Sequence, residues 1–257
     1  VEASPLESLA MPQPLLRVKD AHALTWGAGV LEDRPTLASI ILNCIATWSQ
    51  TEITLGSLLA GILHAENGFA AVQMYLRLTS ADARRSILDA AAHSMLNADS
   101  YKLFTLTMKA IKPVRERRND FAHGIWGIAA EIPDALLWIA PDDKLAYEAA
   151  WQGAIPKHGK PGILAPFLQA HEAHREAIYV YRKSDLDADV ARATDAALAA
   201  MYLTQTLNSA AGAQQSATRQ LLLGVPLIQG VLQSENSDEG KSSPQPQPPP
   251  ETQNATA

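Results

Sequence analysis

The sequence predicts a mainly α-helical protein, an antiparallel helical bundle with a small β-hairpin inserted after one of its long helices. Of its 257 residues, 47% are hydrophobic and 19% are charged, so most of the chain can bury a core. The apolar residues are mostly alanine and leucine, and glycine occurs only 14 times, a composition that favours helix over sheet. Apolar residues at helical spacing, interrupted by short β-like runs, predict the bundle and its insertion.

Four helices are predicted in the first half of the chain. Pro35 suits the first turn of a helix, and apolar residues at helical spacing continue over residues 37–63. A second helix is expected over about residues 67–78. A third is expected to begin after Ser80, a good N-cap residue, and to run to about Leu96.

The fourth helix is predicted from Asp99 or Ser100 to about His123. Pro113 should kink it or mark a changed start, because proline cannot donate the helical hydrogen bond. Gly124 is a candidate C-cap. The helix therefore ends beside a histidine.

Short β-like runs follow this helix. Residues 125–128 and 135–139 flank Pro133-Asp134, which predicts a hairpin. Residues 178–181 are expected to add an edge strand. A last long helix is predicted over residues 190–207.

The domain organisation follows from these elements and from changes in composition. Residues 1–34 are expected to form an N-terminal extension, and residues 35–208 a helical domain with a β insertion at about 125–182. Residues 209–232 are expected to be a linker with a short apolar segment that packs back on the core or on a partner. The Pro-, Gln- and Ser-rich residues 233–257 are expected to be a disordered tail.

Charge and cysteine content exclude several classes of protein. The net charge of −6 argues against a globally basic nucleic-acid coat protein. A single cysteine, Cys44, cannot form an intramolecular disulfide and lies in an apolar run, so it is interpreted as a core residue in a reducing compartment. Neither a secretory signal nor a membrane-spanning run is recognised, so we expect a soluble cytoplasmic protein without a membrane partner.

One segment of this acidic chain is locally basic. Residues 109–127 read KAIKPVRERRNDFAHGIWG, with five basic residues against Glu116 before Asn119. Such a patch can attract phosphates, although the charge by itself favours a solvated helix face. Asn119 and His123 are four residues apart and share a helix face, whereas Arg118 lies about 140° from His123.

The residues Arg118-Asn119-Asp120-Phe121-Ala122-His123 resemble the R-x4-6-H signature of the HEPN superfamily. The resemblance implies a helical bundle and, in many members, a metal-independent endoribonuclease that acts as a homodimer in toxin–antitoxin, phage-defence or RNA-processing systems. It implies that RNA is cleaved by attack of the 2′-OH, giving a 2′,3′-cyclic phosphate. No metal and no cofactor are expected.

The resemblance also suggests a role for each candidate residue. His123 would act as base and acid in two copies, Arg118 would stabilise charge on the phosphorane, and Asn119 would orient His123 or bind phosphate. Glu52, on the first long helix, could orient His123 as a fourth catalytic residue, although the sequence favours an exposed helical glutamate there. The candidate RNA-binding residues are Arg115, Lys112 and Arg117.

Two alternatives remain open from the sequence. One is a non-catalytic helical module whose basic helix binds RNA or a protein partner. The other is a purely structural helical protein, in which Arg118 and His123 merely pair with neighbours and cap the helix. For the nuclease, an antitoxin or another protein is a further candidate partner. A metal site at His171 and His174 has little support, because these residues are three apart and lack a clear third ligand.

Overall fold

The computed structural model describes residues 11–18, 21, 23–153 and 172–239 and is mainly helical, with a small antiparallel sheet. Among these residues, no helix combines the length and apolar character needed to cross a bilayer. The longer helices are α1 (Pro35–Ile62), α2 (Gly68–Arg77), α3 (Ala81–Met95), α4 (Ala98–His123), α5 (Pro141–Gly153), α6 (Lys183–Asn208), α7 (Ala213–Leu223) and α8 (Pro226–Glu239).

Side-chain caps explain where three of the helices begin. Asn67, Ser80 and Asn97 each accept a hydrogen bond from the backbone N–H three residues later, at the start of α2, α3 and α4. The helix α4 therefore starts just before the predicted Asp99. It continues through Pro113 to His123, as an unbroken helix.

The last long helix, α6, begins at Lys183 rather than at the predicted Val190. The backbone N–H of Arg182 donates to Asp185 Oδ2 at 2.8 Å, which stabilises this earlier start. The first turns were missed because the buried side of α6 includes polar residues, Asp185 and Asp189, next to Leu186. These carboxylates obscure the apolar periodicity.

The sheet contains β1 (Gln13–Pro14), β2 (Leu24–Trp26), β3 (Ile125–Ala129), β4 (Ala135–Ile139) and β5 (Ile178–Arg182), in the spatial order β1-β5-β4-β3-β2 with all pairs antiparallel. The predicted hairpin β3–β4 is confirmed. The predicted edge position of β5 is wrong, because β1 pairs with its outer side. Part of the predicted N-terminal extension thus forms the two outer strands.

The two faces of the sheet pack against different parts of the chain. Trp126, Leu136 and Tyr181 face the helical bundle and belong to its core. Leu137 and Val180 face the opposite side and pack with N-terminal residues such as Leu15. Because both faces are covered, β4 reads as a continuous apolar run rather than an alternating one.

The helix α1 lies at the centre of the bundle and contacts α2, α3, α4 and α6. Fully buried alanines along α6 allow this helix to approach α1 closely; they are Ala193, Ala196, Ala199 and Ala200. Cys44 on α1 is buried, which confirms its interpretation as a core residue. Burial raises the pKa of its thiol to about 11.

The C-terminal part is more ordered than the sequence suggested. The expected linker is helical from Ala213, and its Thr218 is buried with a hydroxyl contact of 3.1 Å to Thr206. The apolar segment packs back on the core, burying Leu222, Val225 and Ile228. Residues 233–239 of the expected tail belong to α8. The remaining tail, residues 240–257, and residues 1–10 lie outside the described residues.

Candidate functional site

The candidate site lies at the C-terminal end of α4. His123 is the last residue of this helix, and its side chain is exposed. In the part of the chain that the structure describes, no side chain or backbone group is hydrogen-bonded to its imidazole. The Gly124 N–H donates to the Asp120 carbonyl at 2.7 Å and closes the helix. His123 is therefore held on a defined backbone with its ring available to a ligand.

Arg118 belongs to a different side of the helix. It continues the row formed by Ile111, Val114 and Phe121, all of which are buried. Its Nη1 donates to Asn119 Oδ1 at 3.2 Å, while its Nε is shielded from solvent and has no hydrogen-bond partner among the described residues. On an ideal helix this places Arg118 about 140° from His123.

Around the axis of α4, the direction of Asn119 lies between those of Arg118 and His123. It shares the outer face of α4 with His123, four residues later, and with Lys112, seven residues earlier. Its amide oxygen accepts from Arg118. In this structure Asn119 therefore orients Arg118, and the predicted contact with His123 is not present.

Glu52 lies away from this site. Its carboxylate accepts hydrogen bonds from Trp48 at 3.2 Å, from Tyr75 at 3.4 Å and from Arg84 at 3.0 Å. It lines a small cavity beside Arg115 on α4. His123 is eight residues beyond Arg115, about 12 Å along the helix at 1.5 Å per residue. The expected orienting contact between Glu52 and His123 is therefore not made in this structure, where the carboxylate binds groups within the bundle instead.

Arg117 is also committed to internal contacts. Its Nη1 donates to the Tyr181 hydroxyl at 2.7 Å, and its Nε lies 3.7 Å from Oδ2 of Asp189. Asp189 is buried, with 2% of its side chain exposed, and it also pairs with Arg192. Burial raises the pKa of Asp189, and the two arginines oppose that rise. An RNA phosphate would have to compete with Asp189 for Arg117, which argues against the predicted RNA contact.

The remaining cations differ in their availability. Lys112 is half-exposed and lies 3.7 Å from Glu116, one turn later on the same helix. Arg115 is mostly buried, with 16% of its side chain exposed, and lies 3.7 Å from the exposed Asp82. Of the three predicted RNA-binding cations, Lys112 is thus the most exposed, and it lies on the His123 face of α4.

Two tryptophans close the helix end, and the sequence did not reveal this role. The Trp138 indole N–H donates to the Asp120 carbonyl at 2.9 Å, and that of Trp126 donates to the Phe121 carbonyl at 3.3 Å. The only local signal was the run Gly124-Ile125-Trp126 directly after the motif. Trp138 is brought in by strand pairing, which this run does not encode.

Other histidines do not join the site. His174 makes an edge-on ring contact with Tyr147, and His93 makes one with Tyr101. His171 lies outside the described residues. Within the described ranges, no cluster of three or more His, Cys, Asp or Glu side chains could hold a metal ion.

Comparison with known proteins gives no further assignment. No protein-family model matches the chain, and no characterised protein or solved structure is significantly similar to it.

Proposed function

We propose that this protein is a HEPN-like, metal-independent endoribonuclease whose reaction centre includes His123 and Arg118. The observation that carries the proposal is the exposed imidazole of His123, which has no hydrogen bond within the described residues, at the end of the helix with the R-x4-6-H pattern. Histidine is the side chain best suited to transfer protons near neutral pH. A helix of this length and burial gives it a rigid support.

The proposed reaction needs one proton acceptor and one proton donor. A neutral imidazole removes the proton of the RNA 2′-OH, and the resulting oxygen attacks the adjacent phosphorus. The bond from phosphorus to the 5′-oxygen then breaks, and a protonated imidazole supplies a proton to that leaving oxygen. The products are a 2′,3′-cyclic phosphate and a 5′-hydroxyl. Since each chain supplies one such histidine, we propose a homodimer in which two His123 side chains share a cleft.

Arg118 would stabilise the extra negative charge on the phosphorane oxygens. Its Nη1 is oriented by Asn119, and its shielded Nε lacks a hydrogen-bond partner among the described atoms. The Arg118 Cα lies on the buried side of α4, about 140° from His123. Its long side chain must therefore extend around the helix for the guanidinium to contact a phosphate bound at His123. Lys112 would add a phosphate contact on the His123 face, in a reaction that needs no cofactor.

A non-catalytic helical module that binds RNA or a protein partner is the second candidate. The orientation of Arg118 towards the buried row of α4 favours it, because binding needs no convergence of Arg118 with His123. A toxin–antitoxin or phage-defence role belongs to the first candidate, with an antitoxin as the protein partner. Cleavage decides between the two candidates.

The test is incubation of the full chain with total RNA in excess EDTA. The proteins compared are the wild type, His123→Ala, Arg118→Ala and the control His93→Ala, which replaces another exposed histidine. Fragments with 2′,3′-cyclic phosphate ends from the wild type and the control alone support the nuclease. RNA binding by all four proteins without any fragments supports the binding module.

A further inference from the structure

We propose that Trp126 and Trp138 are positioning residues, whose indole N–H groups fix the last turn of α4 and so determine where the His123 imidazole lies. The inference rests on the proposed function for its catalytic consequence. Its structural basis is the pair of hydrogen bonds to the carbonyls of Asp120 and Phe121.

The end of a helix leaves carbonyl groups without backbone partners, and helix ends fray for this reason. In α4 the Phe121 carbonyl accepts from Trp126. The Asp120 carbonyl accepts from both Gly124 and Trp138. Both carbonyls belong to the turn that also contains His123. The two indoles thus stabilise the backbone that carries the candidate base.

The sheet explains how both indoles reach the same turn. Trp126 and Trp138 are directly paired across β3 and β4, so their side chains lie on the same face of the sheet. Trp126 is further fixed by a tilted ring contact with Phe121 and an edge contact with Tyr181, at ring-centroid distances of 5.7 and 5.6 Å. The strand pairing therefore brings both donors to the same turn of α4, where Trp126 also packs against Phe121.

Gly124 shows how closely Trp138 approaches the helix end. A Cβ atom at Gly124 would lie 1.7 Å from Trp138 Nε1 and 2.6 Å from the Asp120 carbonyl oxygen. The φ angle of Gly124 is −69°, which any residue can adopt. A Cβ at this position would therefore overlap both the indole that covers this turn and the Asp120 carbonyl, and the sequence His123-Gly124 reflects that packing.

Proton transfer depends steeply on geometry, so a loose last turn would lower the rate more than the affinity for RNA. The test replaces the indole by a ring without an N–H, in Trp138→Phe and Trp126→Phe. The matched control is Trp26→Phe on β2, because the Trp26 Nε1 is buried and has no hydrogen-bond partner among the described atoms. The readouts are amide hydrogen exchange over residues 121–124 and the kcat and KM of RNA cleavage.

Trp138→Phe is expected to raise amide exchange at residues 121–124 about five-fold, the ratio that corresponds to one lost hydrogen bond. It is expected to lower kcat roughly tenfold or more, with KM changed less than twofold. Trp126→Phe, at the more buried position, should act in the same direction. Trp26→Phe should leave exchange in these residues and both kinetic constants as in the wild type.

Unchanged exchange at residues 121–124 in Trp138→Phe would overturn the inference, as would faster exchange with unchanged kcat. A wild type that cleaves no RNA would overturn the proposed function instead. In that case amide exchange alone tests whether the two indole N–H groups fix the last turn of α4. Faster exchange in both tryptophan variants supports this structural part of the inference, and unchanged exchange refutes it.

Discussion

Glu52 and Arg84 form an ion pair, with 3.0 Å between Glu52 Oε2 and Arg84 Nη1, that joins α1 to α3. The same carboxylate accepts from Tyr75 on α2, so three helices meet at Glu52. The pair is mostly buried, with 13% of the Glu52 side chain exposed. A carboxylate with this many donors has a structural function in the bundle.

Glu52→Gln should therefore lower stability and leave RNA cleavage per folded molecule intact. The expected loss is about 1–3 kcal/mol, because the amide weakens a charge-assisted network and leaves Arg84 without its counter-ion. Urea unfolding measures the loss, and Glu116→Gln on the exposed face of α4 is the control. Normal stability with loss of cleavage would return Glu52 to the catalytic site.

The sequence predicted the elements that neighbouring residues determine and missed the contacts between residues that are far apart along the chain. The positions of α1 to α4 and of the hairpin followed from caps, periodicity and Pro133-Asp134, which act within a few residues. The partner of Glu52 was missed because Arg84 is on another helix. The outer strands β1 and β2 were missed because short pairings at sheet edges leave little periodic signal.

In the candidate site, too, the sequence predicted the local features and missed the contacts between distant residues. The position of His123 at the end of α4 was predicted correctly, because a helix pattern followed by Gly124 is a local signal. The ion pair between Arg117 and Asp189 was not predicted, since helical spacing alone does not reveal a buried carboxylate on a helix far along the chain. A basic run shows where charge is but not which charges are neutralised.

The buried Asp189 should make stability depend on pH. Because burial raises its native pKa above the ordinary 3.8, the native state binds this proton more tightly than the unfolded state. Its stabilising contribution is fully present below pH 3.8 and is lost as pH rises through the native pKa. The free energy of unfolding of the wild type minus that of Asp189→Asn should therefore fall as pH increases from 3.8.

Urea unfolding of both proteins at constant ionic strength, from pH 3.5 to 7.5, measures this difference. Asp120 and Asp195 also have pKa values raised by burial. Both residues are present in the wild type and in Asp189→Asn, so their contributions largely cancel in the difference between the two unfolding free energies. A difference that stays constant, or that grows with pH, would contradict the proposed environment of Asp189.

Lys112 and Arg117 should respond differently when RNA binding is measured against salt. Lys112→Ala should reduce the slope of log affinity against log salt concentration by about 0.7–1, because it removes one phosphate contact. Arg117→Leu should leave the slope nearly unchanged and lower stability by about 1–3 kcal/mol, because Asp189 loses a counter-ion. Fluorescence anisotropy with a single-stranded RNA at several salt concentrations separates the two effects.

Equal slopes for the wild type and Lys112→Ala would remove Lys112 from the RNA surface. A reduced slope in Arg117→Leu at normal stability would instead show that Arg117 leaves Asp189 to bind phosphate. Lys183→Ala is a suitable control, since Lys183 is exposed and pairs with Asp187 at the start of α6.

Gly124→Ala should destabilise the protein although the backbone conformation of Gly124 suits alanine. The new methyl group would overlap Trp138 Nε1, at a distance of 1.7 Å, and would displace the indole from the Asp120 carbonyl. Overpacking of this kind costs roughly 1–3 kcal/mol. Gly29→Ala is the matched control, because its Cβ would meet nothing within 4 Å.

A double-mutant cycle assigns the cause of that loss. If the methyl group acts through the indole, Gly124→Ala should destabilise the Trp138→Ala background less than it destabilises the wild type. The coupling between these contacting residues should then be about 0.5–3 kcal/mol. Additive losses would mean that the alanine strains the end of α4 independently of Trp138. The packing of Trp138 would then no longer explain why a glycine follows His123.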